Sequence, residues 1–340
     1  MNINAREFAK TLAPLKPGLS AKESIEQSDS YIFHDGKVIT FNDDVMAVMD
    51  SPIDAEGVVN AKALDDVLKK IKDADITVDF VDDQMTLTNK KMKVGLNFDS
   101  DILSPISAIP NRKNTTDLPE NFPHLANLAC QTTSKDISSP ITMCVNLSGN
   151  MIQSLDNFRI TQCSLPEVDF GDSSLVLARS LLPTLKDNPN KFKNGKKWMY
   201  FYGESGCIYC IRKYISEYPD LDVFFDDSDE ITEVPLPDDF LDVLGRADAF
   251  SKNNDGDDAI RVELKKNKMR VSSQNAFGWV TETVKLKYSG DEFSFSSGPN
   301  FLKSISKFLG SDGKVFIVKE SWVLRISSPD MGVEHLVKLD

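Results

Sequence analysis

Three stretches of the chain repeat one order of apolar and polar positions: an apolar run, apolar residues at helical spacing, and then alternating apolar and polar residues. This order predicts a strand, an amphipathic helix and further strands. Leu64, Leu182 and Leu302 occupy equivalent places and lie about 120 residues apart. A period of this length is that of a whole domain rather than of a solenoid repeat. The pattern therefore predicts three homologous domains.

Each predicted domain also opens on a segment with helical spacing, at residues 4–15, 122–130 and 236–250. The positions expected to face inward are Phe8 and Leu12 in the first helix, and Phe240, Val243, Leu244 and Ala247 in the third. Each domain thus has two helices and about eight strands.

Linker composition predicts the domain boundaries. Residues 106–120 contain prolines and a polar run, and residues 226–230 are almost all acidic. We therefore expect domains at 1–115, 116–230 and 231–340. The polar run at 253–258 lacks the ligand spacing of a calcium loop and is interpreted as a hairpin tip.

Composition is that of a globular protein, with 41% hydrophobic and 27% charged residues in 340. No apolar run approaches the roughly 20 residues of a membrane helix, and the polar start is unlike a signal peptide. These features predict a cytoplasmic protein without a membrane partner.

Five cysteines, an odd count, indicate reduced thiols. Cys207 and Cys210 lie in an alternating pattern, which favours buried structural thiols over a zinc site.

Catalytic patterns are missing from the sequence. His34, His124 and His335 lie far apart without metal-ligand or triad companions, and no Walker loop, GxSxG or GxGxxG is present. We therefore expect a binding protein, not an enzyme, with no cofactor and no bound metal. A hydrolase with an acidic metal site stays as an alternative, although the aspartates are dispersed.

One stretch carries a family resemblance. Residues 155–161 read Leu-Asp-Asn-Phe-Arg-Ile-Thr, and Cys163-Ser-Leu-Pro166 follows. The stretch resembles the second domain of DNA sliding clamps, the bacterial DNA polymerase III β subunit, which has Thr-Asp-Gly-His-Arg-Leu-Ala followed by Cys-Ser-Met-Pro. Tyr218-Pro219-Asp220 resembles the family's Phe-Pro-Asp, and residues 261–295 follow its third-domain strands. A related turn stands earlier, at 42–46.

The resemblance implies an α+β fold of three repeated clamp domains, each with two helices and two antiparallel sheets, arranged in a ring. It implies a processivity factor that encircles double-stranded DNA without sequence preference and tethers a replicative DNA polymerase. The implied partners also include a clamp loader and a second copy of the chain, as a homodimer. A clamp-fold scaffold or inhibitor that does not encircle DNA is the alternative. The net charge of −13 opposes DNA binding by the outer surface, but not inside a ring.

Candidate site residues follow from the same resemblance. The partner-peptide cleft is expected at Leu155, Asn157, Phe158, Arg159, Ile160, Pro219, Phe224, Leu336 and Val337. The DNA-facing residues are expected to be Arg6, Lys10, Lys62, Lys69, Lys70, Arg179, Lys186, Lys191, Lys193, Lys197, Lys303 and Lys307. The dimer interface is expected at Ala249 and Phe250.

Two departures from the family pattern affect the expected cleft. The family's Gly-His is Asn157-Phe158 here, and its Met-Pro-Met-Arg-Leu ending is replaced by residues 337–340, Val-Lys-Leu-Asp. These departures predict an altered affinity for the family's usual peptide. The divergence suggests a viral or mobile-element clamp, which would act in a host's cytoplasm.

Overall fold

Local sequence signals determine where the first helices begin and end. The side chain of Asn4 accepts hydrogen bonds from the backbone N–H groups of Arg6 and Glu7 at 3.0 and 3.3 Å, and so caps the first helix. Asn60 caps the second helix in the same way. Pro14 follows the end of the first helix, where the chain continues as a 3-10 turn.

The computed structural model describes residues 1–71, 74–104, 112–225, 231–252, 259–310, 312–319 and 321–339. The predicted linker at 226–230, the predicted hairpin tip at 253–258 and residues 106–111 of the first predicted linker lie outside the described residues. The helices are α1 (Ala5–Leu12), α2 (Ala61–Lys70), α3 (Phe122–Gln131), α4 (Ala178–Thr184), α5 (Phe240–Asp248) and α6 (Pro299–Phe308).

The strands alternate with these helices in the order that the sequence predicts. The first half of the chain contains β1 (Asn2–Asn4), β2 (Ser30–His34), β3 (Lys37–Phe41), β4 (Val45–Asp50), β5 (Gly57–Asn60), β6 (Asp75–Val81), β7 (Gln84–Asn89), β8 (Met92–Asp99), β9 (Thr116–Asp117), β10 (Cys144–Ser148), β11 (Met151–Leu155) and β12 (Arg159–Ser164). The second half contains β13 (Ser174–Leu177), β14 (Lys191–Asn194), β15 (Trp198–Tyr202), β16 (Ile208–Tyr214), β17 (Ile231–Glu233), β18 (Ile260–Lys265), β19 (Lys268–Asn275), β20 (Gly278–Lys285), β21 (Phe293–Ser297), β22 (Lys314–Val318), β23 (Val323–Ser328) and β24 (Val333–Lys338).

The chain divides into two compact units, and the first consists of residues 1–127 and 167–215. Its strands pair antiparallel in the order β8-β5-β2-β3-β4-β16-β15-β14-β9, and β1-β6-β7-β8 forms a further sheet. Helices α1 and α2 pack against each other. Ile32, Ile39, Met46 and Ile208 are among the buried side chains of its core.

The second unit consists of residues 128–166 and 216–340. One antiparallel sheet has the order β10-β11-β12-β24-β23-β22-β17, and a second has the order β21-β18-β19-β20. Helices α5 and α6 pack against each other. The division into three domains at 115 and 230 stays a prediction.

Most predicted helix faces are confirmed. Phe8 and Leu12 of α1 are buried, as are all four inward positions expected in α5. The prediction for α4 is wrong at Leu182, which is exposed, while Leu181 is fully buried. This helix is short, and its buried stripe follows Ala178, Leu181 and Thr184 at a spacing of three residues.

Candidate functional site: a partner cleft and the surfaces around it

A tight turn joins β11 to β12, and Asp156 fixes its shape. The Asp156 N–H donates to the Arg159 carbonyl oxygen at 2.9 Å, and its Oδ1 accepts the N–H groups of Phe158 and Arg159 at 2.8 and 2.7 Å. Arg159 donates two guanidinium hydrogen bonds to Oδ2 at 3.0 and 2.6 Å. Asn157 does not have a positive φ. The turn therefore does not require the glycine that the resembling motif has there.

The earlier related turn is closed by the same pair of hydrogen bonds, although Asp43 has a φ of 75° and the matching Asn157 has no positive φ. The N–H of Asn42 donates to the Val45 carbonyl oxygen at 3.1 Å, and the Asn42 side chain accepts the Val45 N–H at 2.8 Å. These are the bonds that Asp156 makes with Arg159, with an amide in place of the carboxylate. The predicted repetition of the turn is confirmed, although only the second copy carries an arginine.

The second turn forms one wall of a cavity of about 580 Å³ in the second unit. The other walls come from the segment after Pro219 and from β23 and β24. The lining residues are Leu155, Asp156, Asn157, Phe158, Arg159, Ile160, Pro219, Leu221, Val223, Phe224, Ser321, Val323, Leu336 and Lys338. We call this cavity the cleft.

The structure brings together all but one of the residues expected in the cleft. Val337 is fully buried and does not line it, because neighbouring residues of a strand point to opposite faces. Leu336 and Lys338 therefore face the cleft instead. Sequence reasoning missed six of the lining residues: Asp156, Leu221, Val223, Ser321, Val323 and Lys338. Strand alternation around Leu336 could have identified Lys338, whereas Val323 is brought in only by the pairing of β23 with β24.

Phe158 belongs both to the cleft and to the packing of its own unit. Its side chain is 47% exposed, and its ring centroid lies 5.9 Å from that of Phe301 in α6. The Arg159 guanidinium also lies over the Phe301 ring, 4.8 Å from the centroid. The two interpretations of Phe158, as a cleft residue and as a packing residue, thus both describe part of its surface.

Among the described residues that line the cleft, three side chains carry a charge. Asp156 and Arg159 neutralise each other, and their side chains are only 12% and 13% exposed. Lys338 forms no salt bridge within the described residues, and its side chain is exposed to solvent in the cleft. The other described lining residues are apolar or neutral. As far as the structure describes its walls, the cleft is therefore a mainly apolar cavity with one unpaired cation.

A buried polar chain lies beside the turn, with Thr161 on β12 and His335 on the adjacent β24. Thr132 and Thr161 share a hydrogen bond of 2.6 Å between their hydroxyl oxygens, and the Thr161 oxygen lies 2.7 Å from His335 Nδ1. The His335 ring stacks on Phe308 with centroids 3.8 Å apart. Burial lowers the pKa of His335 to about 3, with a further contribution from the nearby Arg159 charge. His335 is thus neutral at physiological pH and has a packing role.

Many of the predicted DNA-facing cations lie on helices. Arg6 and Lys10 are on α1, Arg179 is on α4, Lys303 and Lys307 are on α6, and Lys186 follows α4 in a 3-10 turn. Lys62, Lys69 and Lys70 are exposed on α2, and we call them the helix lysines. Some cations are paired, since Lys303 binds Asp248 at 2.5 Å and Lys10 binds Glu7 at 2.7 Å.

The remaining three predicted DNA-facing residues are not on a helix. Lys191 and Lys193 lie on β14, and Lys197 lies in the turn that follows it; we call these the strand lysines. Lys191 pairs with Asp117 of the adjacent β9 at 2.8 Å. The DNA-facing role of the strand lysines stays a prediction, without the support of a helix position.

A second cavity of about 590 Å³ gathers three cations in the first unit. Lys16 lines it together with Arg179 and Lys186, and sequence reasoning missed Lys16. Two of the three are already paired, Lys16 with Asp65 at 3.3 Å and Arg179 with Asp44 at 3.0 Å. This cavity therefore offers less free positive charge than its composition suggests.

The predicted interface residues lie next to an open sheet edge. Ala249 is exposed after α5, and the Phe250 ring covers Gly278, where an added Cβ would lie 2.8 Å from a ring carbon. Gly278 begins β20, which pairs only with β19 among the described strands. Trp279 of this strand is 68% exposed, and the preceding Phe277 is almost fully exposed. In the first unit, residues 92–97 of β8 pair only with β7 in the described part of the chain.

The thiols offer little chemistry. All five cysteines are buried thiols outside any disulfide, as predicted. Burial raises the pKa of both Cys163 and Cys207 to about 12, so these thiols stay protonated.

Within the described residues, no group of three or more His, Cys, Asp or Glu could hold a metal ion. No helix of the described chain is long and apolar enough to cross a membrane.

Comparison with known proteins gives structural matches alone. No protein-family model and no curated protein matches the chain. The sliding clamp of Bacillus subtilis DNA polymerase has a TM-score of 0.86 at 16% identity, and the match covers 100% of this chain and 98% of that one. The β chain of Streptococcus pneumoniae DNA polymerase III gives 0.86 at 17%, with the same coverage.

A third match carries a bound peptide. The Helicobacter pylori β clamp bound to a DNA ligase peptide has a TM-score of 0.82 at 15% identity, covering 100% of this chain and 99% of that chain. The predicted α+β clamp fold is therefore confirmed over the whole chain. The chain has the fold of the bacterial DNA polymerase III β sliding clamps, in a divergent sequence.

Proposed function

We propose that this protein is a sliding clamp that encircles double-stranded DNA and tethers a replicative DNA polymerase. The observation that carries the proposal is the clamp fold, which covers 100% of this chain and 98% of each matched clamp. The cleft adds support because it lies at the turn that resembles the family's motif. A fold alone does not assign a function, so the site residues must be tested.

Topological retention would explain how an acidic protein stays on DNA. A closed ring cannot leave a duplex sideways, so weak and mobile phosphate contacts suffice for long residence. Such contacts carry no sequence information. The helix lysines and Lys186 are exposed cations that could supply them. The acidic balance of the chain, −13, would then keep nucleic acid away from the outer surface.

A homodimer would close the ring. The open edges of β8 and β20 are each carried by a strand of 8 residues. An edge pair between two copies extends both sheets, and a head-to-tail arrangement uses one edge of each kind at every joint. Trp279 and Phe277 would bury their exposed rings there. The prediction for Ala249 and Phe250 fits this arrangement, because the Phe250 ring packs on Gly278 at the start of β20.

The cleft would bind a short segment of the polymerase or of the clamp loader. Its apolar walls and depth suit a few inserted side chains, as in other peptide-binding grooves. The H. pylori clamp of the same fold is bound to a DNA ligase peptide. In this proposal the protein performs no chemistry and needs no cofactor. It would act in the cytoplasm at the nucleoid, or in the host cytoplasm if the protein is viral.

The solution mass tests ring closure first. Sedimentation equilibrium at micromolar protein should give about twice the 37.9 kDa chain mass, and images of the particles should show a ring. A monomer, with or without DNA, would contradict closure. That result would favour the alternative, a clamp-fold scaffold or inhibitor that does not encircle DNA.

A further inference from the structure

The cleft contains one charge that nothing in the described protein balances. Asp156 and Arg159 form a bidentate pair at 3.0 and 2.6 Å, and this pair has little exposed surface. Lys338 lines the same cavity without a salt bridge among the described residues. Within the described walls of the cleft, a segment that fills it therefore meets a single free cation.

The backbone holds Lys338 firmly in this place. Its N–H donates to the Phe158 carbonyl oxygen at 2.7 Å, and the next N–H, of Leu339, donates to the Trp322 carbonyl oxygen at 2.8 Å. Lys338 also pairs in register with Val323 of β23, which lines the cleft as well. The Cα of Lys338 is thus anchored between the two walls, while the flexible side chain can follow a ligand.

Apolar surroundings make this charge selective. The walls of the cavity that Lys338 lines also include Leu155, Ile160, Val223 and Leu336, and a bound segment would seal this cavity from water. An ammonium group that loses water without gaining an anion opposes binding, whereas a carboxylate placed beside it compensates. A second cation in the same space would be repelled.

We propose that the partner segment that fills the cleft carries a carboxylate, from Asp, Glu or a chain terminus, which pairs with Lys338. The rest of the segment is apolar, with side chains that pack on Phe158 and Phe224. This proposal rests on the proposed function, because it assumes that the cleft binds a peptide. It adds the chemistry by which the partner is chosen.

The experiment selects ligands without assuming a partner. A random-peptide display library is enriched on the full-length protein, and the selected peptides are synthesised as written and with each acidic residue changed to its amide. Affinities are measured by calorimetry against the unmodified protein, Lys338→Gln and Lys268→Gln. Lys268 is the matched control, an exposed lysine on β19 of the same unit, outside the cleft. Phe224→Ser tests whether a peptide binds in the cleft at all.

The selected peptides should be enriched in Asp or Glu, and the amide change should weaken binding about five- to tenfold. The difference in affinity between the acidic peptide and its amide form should disappear in Lys338→Gln and persist in Lys268→Gln. Peptides that depend on Phe224 but tolerate the amide change would overturn the carboxylate proposal and leave the peptide cleft intact. If no selected peptide depends on Phe224, both the carboxylate proposal and the peptide-binding role of the cleft are wrong.

Discussion

The substitution Phe158→Ala measures separately the packing role and the ligand-binding role of the Phe158 side chain. Phe158 is 47% exposed, so about half of its surface already contacts the protein, and its ring packs on that of Phe301 in α6. A fully covered aromatic side chain buries roughly 150–250 Å². About 100 Å² is therefore buried in the folded chain, and a similar area is available to a ligand.

These areas set the expected magnitudes. At about 25 cal/mol per Å², the loss of the buried half lowers the free energy of unfolding by about 1–2 kcal/mol, after allowance for a compact unfolded state. Loss of the exposed half weakens a peptide that covers it by about 1–2 kcal/mol, which corresponds to roughly five- to thirtyfold in dissociation constant. Both effects should appear in the same variant.

Chemical unfolding and calorimetric titration with a library-selected peptide measure the two effects. Phe80→Ala is the matched control, because Phe80 is 38% exposed and packs on Phe98 at 4.7 Å, outside the cleft. The control should lose stability and retain the peptide affinity. If Phe158→Ala loses stability while the folded molecules bind the peptide normally, Phe158 is a packing residue and the assignment of this cleft is wrong.

Three further predictions concern other parts of the chain. Because the pKa of His335 is lowered from 6.5 to about 3, the unfolded state binds more protons than the folded state below pH 6.5, and the free energy of unfolding should fall by up to about 1.4 kcal/mol per pH unit down to about pH 3. The substitution His335→Gln should remove that slope in acid unfolding. Changing the helix lysines to Glu should shorten retention on circular DNA and lower its salt dependence. The same change in the three strand lysines should have a smaller effect, and equal effects would place both sets at the DNA. Trp279→Ser should weaken the dimer about tenfold or more in sedimentation while Trp322→Ser, also an exposed tryptophan, leaves it unchanged; an unaltered dimer would remove β20 from the interface.

The helix faces of the fold were predictable from the sequence where burial repeats regularly. Phe8 and Leu12 of α1 are buried as expected, because a helix of two turns needs only its spacing to show which side faces the core. Leu182 was assigned to the wrong face because Leu181 and Leu182 are adjacent in α4 and only Leu181 lies on the buried stripe. Helical spacing alone does not choose between two adjacent leucines.

The candidate site was partly predictable for a different reason. The turn from Leu155 to Ile160 is a local sequence signal, and its Asp156–Arg159 pair is closed within the turn. Lys338 and Val323 were missed, because they enter the cleft through the pairing of strands distant in the sequence. Val337 was misplaced by a single residue, which in a strand reverses the side-chain direction. The open edge of β20 likewise depends on which strands pair, and no local sequence pattern predicts that pairing.

Release from closed DNA tests the central claim most directly. Protein loaded on nicked circular DNA is separated from free protein, and the circle is then cut once with a restriction enzyme while the salt concentration is held constant. A ring that encircles the duplex should stay on the circle in salt that screens phosphate contacts, and should slide off after the cut. Equal loss from circular and linear DNA would show that the protein binds the duplex from outside, which contradicts the account.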